Sequence, residues 1–93
     1  MTKVEYSKHA LEKMRVREVS KRQMGVVIRN PDFSYQDVES NALVAVKKRG
    51  ERHVVGIFTL KDERVRVVTV YHASEVDRLI RRKLQRGVWL VKR

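Results

Sequence analysis

The sequence predicts an α+β domain, with N-terminal helices packed on a four-stranded antiparallel sheet and a basic helix at the C-terminal end. Three observations carry that expectation. Apolar residues recur at helical spacing up to Asn30, switch to strand spacing from Phe33 to His72, and return to helical spacing after Ser74. The 93 residues suit one domain, with a helical hairpin over 1–30, a strand meander over 33–72, and a basic helix with a short terminal strand over 74–93.

Ser7 can cap a first helix that runs to about Arg17. Ala10, Leu11 and Met14 share one face of it and are expected to point inward. Ser20 and Gln23 then form a capping box, with Val19 and Met24 placed for a hydrophobic staple, so a second helix starts there. Pro31 ends it, because proline disfavours helix at the residue before. "FSYQDV", "LVAVKK", "RHVVGIFTL" and "RVRVVTVYH" follow as strands, separated by the turns "ESNA", "RGE" and "KDE". The third strand is apolar on both faces, with Val54, Gly56 and Phe58 on one and Val55 and Ile57 on the other. Helices 1 and 2 can cover only one face, so the other needs a further element. "SEVDRLIRRKLQRG" can supply it: Ser74 caps, Val76, Leu79, Ile80 and Leu84 form the inward stripe, and Gly87 stops the helix. The closing "VWLV" reads either as a short strand or as an apolar patch that meets a partner subunit.

The formal net charge is +11, which favours polyanionic partners: nucleic acid first, an anionic membrane surface second. No apolar run approaches the roughly 20 residues of a membrane span, and "MTKVEYSKHA" lacks the apolar core of a signal peptide. There is no cysteine, which excludes disulfides and thiolate metal sites and fits a cytoplasmic location. The sequence shows no Gly-rich phosphate loop, no HExxH, no Gly-x-Ser-x-Gly and no close acidic cluster, so no cofactor and no metal are expected.

Helical spacing stacks His9, Lys13 and Arg17 on one stripe beside the apolar face. The order Ser7, His9-Ala10, Lys13-Met14 and Arg17, then a second helix ending at Asn30-Pro31 and a meander ending "VVTVY", resembles a family of small, mostly uncharacterised prokaryotic proteins. That family is related in fold to the RelE- and ParE-type toxins of toxin–antitoxin systems. The resemblance covers roughly residues 5 to 72. Its usual first helix reads Ser-x-His-Ala, then Arg-Met, then Arg-Gly-Ile. This chain departs from it at Lys13, where arginine is usual, at Glu18, where glycine is usual, and in a longer tail after Ser74. The glycine's absence is expected to soften the break between the two helices. The resemblance implies a RelE-like fold, a toxin-like endoribonuclease acting on RNA (ribosome-bound mRNA included), and an antitoxin partner; ParE-type relatives act on DNA gyrase instead.

Metal-free RNA cleavage needs a base for the 2′-hydroxyl proton, cations for the phosphate, and an acid for the leaving oxygen. Histidine suits the proton transfers, and arginine and lysine suit the phosphate. The candidate catalytic residues are His9, His72, Arg17, Lys13 and Tyr71, with either histidine as acid or base. Each has a plainer role open to it: a histidine tied to the core edge, a solvated lysine, a core tyrosine. The candidate nucleic-acid-binding residues are Lys47, Lys48 and Arg49 at a hairpin tip, and Arg78, Arg81, Arg82 and Arg86 on the third helix. Two other functions fit the same residues. One is a non-catalytic nucleic-acid-binding module. The other is a protein-interaction domain, binding an antitoxin or forming a homodimer through "VWLV".

Overall fold

A computed structural model describes residues 3–92; Met1, Thr2 and Arg93 lie outside the described residues. The elements run β1 (Lys3–Tyr6), α1 (Lys8–Val16), α2 (Lys21–Arg29), β2 (Phe33–Asp37), β3 (Ala42–Arg49), β4 (Arg52–Lys61), β5 (Arg64–Ala73), α3 (Val76–Gln85) and β6 (Trp89–Val91). The strands form one mixed sheet of six in the order β1-β5-β4-β3-β2-β6.

This corrects the expected RelE-like sheet of four antiparallel strands. The meander β2 to β5 is there, but β1 adds to it parallel to β5, and β6 adds antiparallel to β2. β6 takes the strand reading of "VWLV" that the sequence left open, while β1 escaped the pattern altogether, and both have a physical reason. Four and three residues are too few to display a period of two. A parallel pairing also leaves no turn signature, because its partner lies some sixty residues away.

The two faces of the sheet carry separate cores. On one, α1 and α2 bring Ala10, Met14, Met24 and Val27 against Ala45, Val54, Val67 and Val70. On the other, α3 brings Val76 and Ile80 against Val44, Val46 and Val55. The central strands are thus buried on both sides, and the third helix covers the second face as its apolar stripe predicts. Trp89 joins that second core. Its ring stacks on Tyr35 at 5.4 Å between centroids, and its indole N–H donates to Asp37 Oδ2 at 3.3 Å. Gly56 has a packing reason: the Met24 methyl fills the place a Cβ would take, 2.2 Å from where that carbon would sit.

Several local expectations need correction. Leu11 and Leu84 are not inward; they lie on the flanks of their stripes, 42% and 38% exposed. Glu75, not Ser74, is the N-cap of α3, without a side-chain cap bond. The break after α1 is not softened by Glu18. Glu18 takes the left-handed conformation itself, at φ 56°, and the amide of Val19 bonds the carbonyl of Met14 at 2.8 Å. This is the turn that glycine ordinarily makes at a helix end.

One irregularity positions the functional site. Between β4 and β5 the register jumps from Ile57↔Thr69 to Phe58↔Val67, so Val68 is an extra residue. Ser7 holds this bulge. Its amide donates to the Val67 carbonyl at 3.0 Å and its hydroxyl to the Val68 carbonyl at 3.2 Å, while the same oxygen caps α1 by accepting from the Ala10 amide at 2.9 Å.

Candidate functional site

Strict alternation along β5 would put Val67 and Tyr71 on the same face and His72 on the other. The bulge at Val68 reverses that. Val67 and Val70 both face α1 and α2, and Tyr71 packs in the α3 core. His72, directly opposite Val54 on β4, therefore comes out on the face of α1. The β3–β4 hairpin completes the arrangement. Its two-residue turn, Gly50-Glu51, sets Arg49 directly opposite Arg52. Both fall on the same face as Val54 and His72. The C-terminal end of α1 then brings Arg17 over them. Arg17, Arg49, Arg52 and His72 line a cavity of about 280 Å³, with Glu18 and Gly50 at its edge.

The cluster is electrostatically unbalanced. Among the described residues the ion pairs are Arg15–Glu12, Lys47–Asp32, Arg64–Glu5 and Arg78–Glu75, so the three arginines of the cavity take part in none. Arg49 donates to the carbonyl of Glu18 at 3.1 Å, which anchors the hairpin to the turn after α1. Like charges directly across a strand pair are destabilising, and an anion bound among them would relieve that cost. His72 feels the same field. Burial first, then Arg52, Arg49 and Arg17, hold its imidazole below the ordinary histidine range, which favours the neutral form.

The predicted residues separate accordingly. Arg17, Arg49 and His72 come together. His9 does not join them: its Nε2 lies 3.3 Å from Thr69 Oγ1, at the opposite end of α1 from Arg17. Eight residues of helix set the two about 12 Å apart. Lys13 lies between them, half-buried on the same stripe. Tyr71 is on the other side of the sheet, where burial, and then the Asp37 carboxylate, push its hydroxyl up. Lys47 is tied to the Asn30 carbonyl at 2.8 Å and to Asp32 at 3.8 Å. Lys48 alternates to the α3 face, and its amide is held by Asp32 Oδ2. Arg78 pairs with Glu75, while Arg81 and Arg82 on α3 and Arg86 at its C-cap are exposed, across the sheet from the cavity. Trp89 is 1% exposed and cannot stack on a base.

Arg52 closes the basic hairpin-tip run "KKRGER" but is not among the residues singled out from the sequence. The signal was present: a two-residue turn with glycine fixes the hairpin register and so pairs Arg49 with Arg52. Among the described residues no three His, Asp or Glu side chains gather as a metal-binding group, and no helix is long and apolar enough to cross a membrane. Comparison with protein families matches residues 6–72 to a domain of unknown function, DUF4258. No curated protein and no solved structure matches the chain.

Proposed function

We propose, for a chain that belongs to the DUF4258 family, that it binds RNA by a phosphate seated among Arg17, Arg49, Arg52 and His72, and that it cleaves the strand there without a metal. The observation that supports this is one cavity lined by three arginines outside any ion pair and by a histidine whose charged form they disfavour. Arginine guanidinium groups match a phosphate's oxygens in geometry and charge. Neutral His72 would take the 2′-hydroxyl proton. The oxygen so released attacks the adjacent phosphorus, the bond to the 5′-oxygen breaks, and a 2′,3′-cyclic phosphate remains. The arginines stabilise the charge that builds on the phosphorane, and the departing 5′-oxygen takes its proton from water.

The test is cleavage of a labelled mixed-sequence RNA in excess EDTA, with His72→Gln and Arg17→Gln beside the parent. Cuts ending in cyclic phosphate, lost in His72→Gln while its RNA affinity is kept, are the expected result. Intact RNA with no binding would overturn the proposal. A second function, binding without cleavage, is favoured by one observation: His9 stands two helical turns away, so the cavity holds a single histidine rather than a pair. Intact RNA that is nevertheless retained would point there. A toxin-type role, with an antitoxin or a second copy as protein partner, belongs to the same proposal. Edge strand β6 offers that partner Leu90 and Val91, both more than half exposed.

A further inference from the structure

Beside the cationic cavity lies a second one of different character. It has about 240 Å³ of space between α2 and the ends of β3 and β4. Val19, Val26, Val27 and Val54 make its floor and wall, and Arg22 and Arg49 stand at its rim. Arg49 lines both cavities, so the two are joined through one side chain. Gln23 also lines this groove. Its Oε1 is taken by the Ser20 amide in the capping box, which leaves its side-chain N–H donors for a ligand.

From this juxtaposition we infer that the groove is a nucleobase subsite, taking the base of the nucleotide whose phosphate sits among Arg17, Arg49 and Arg52. The inference rests on the phosphate site proposed above and adds to it where the base goes. An apolar floor excludes water beneath a flat ring. Guanidinium planes at the rim can stack on its face, as arginine does in recognition of single-stranded RNA. The Gln23 amide can donate to a ring or carbonyl acceptor on its edge. The cation cluster next door selects an occupant that carries a phosphate, which a bare apolar side chain of a protein partner does not.

The experiment compares adenosine and uridine 5′-monophosphates with ribose 5-phosphate and inorganic phosphate, by calorimetry and by methyl NMR of the valines. The nucleotides are expected to bind about ten-fold tighter than ribose 5-phosphate, the gain typical of one stacked base. They should also shift the methyls of Val19, Val26, Val27 and Val54, which inorganic phosphate leaves in place. Val26→Gln puts a polar group in the groove wall at a helix position that is already 44% exposed, so the fold is kept. It should remove the ten-fold gain and leave phosphate affinity unchanged. Equal binding of nucleotide and ribose phosphate, or a gain that survives Val26→Gln without valine shifts, overturns the base subsite while the phosphate site stands. Binding of neither nucleotide nor inorganic phosphate overturns the phosphate site and the subsite with it.

Discussion

His72 shows how a single side chain is tuned by its neighbours. Burial and the nearby arginines disfavour its charged form, so the folded protein resists a proton that the unfolded chain accepts near pH 6.5. Above that pH neither state is protonated and the group contributes nothing. As pH falls through it, the unfolded state binds the proton first and stability is lost, until folded His72 protonates in turn. His72→Gln is expected to flatten that acid loss in a denaturant series. The same shift sets the acid limb of any RNA cleavage below the ordinary histidine range. Arg52→Gln removes the largest of the arginine contributions, so the limb, and the His72 NMR titration, should move to higher pH. The Arg49–Arg52 pair also predicts a trade between stability and function. Arg52→Gln relieves a cross-strand repulsion and should raise stability by about 0.3 kcal/mol, while weakening phosphate binding several-fold.

At the scale of the element, the turn after α1 is the informative one. Glu18 holds a left-handed conformation at φ 56° where glycine would be unstrained. Glu18→Gly is expected to stabilise the fold by about 0.5 kcal/mol, the relief of strain being partly offset by a more flexible unfolded chain. Urea denaturation measures it. The same change removes a carboxylate from the rim of the cationic cavity, so phosphate affinity should rise with it. A helix-end residue thus sets both the geometry and the charge of the site. Much of this element was legible in the sequence: the Ser7 cap, the Ser20–Gln23 capping box and the burial of Ala10 and Met14 all stand as their spacing implied. The capping residues act locally, through bonds to amides three positions on, and local bonds are what a sequence encodes most directly.

For the whole molecule, the sheet sets two cationic surfaces apart. One is the cavity of Arg17, Arg49 and Arg52 on the α1 side; the other is the Arg81 and Arg82 face of α3 with Arg86 at its C-cap. A short RNA strand cannot occupy both at once. Replacing Arg17 and Arg52 together should abolish binding of a short single strand, whereas replacing Arg81, Arg82 and Arg86 should leave most of it. With about three arginine contacts, the log–log slope of affinity against salt should be near −2. A steeper slope that collapses only when α3 is neutralised would move the binding surface to the other face. By itself the sequence determined the helices, the four-strand meander, the need for a cover on each sheet face and the excess of positive charge. These follow from period, capping and composition, all short-range in the chain. Only the tertiary structure decided that β1 runs parallel to β5, that Val68 bulges, and that α1 ends over the β3–β4 hairpin. The bulge matters most, because one extra residue exchanges the faces of every side chain after it. It sent Tyr71 into the α3 core and brought His72 to Arg17, a choice settled by Ser7 reaching the bulge from sixty residues away.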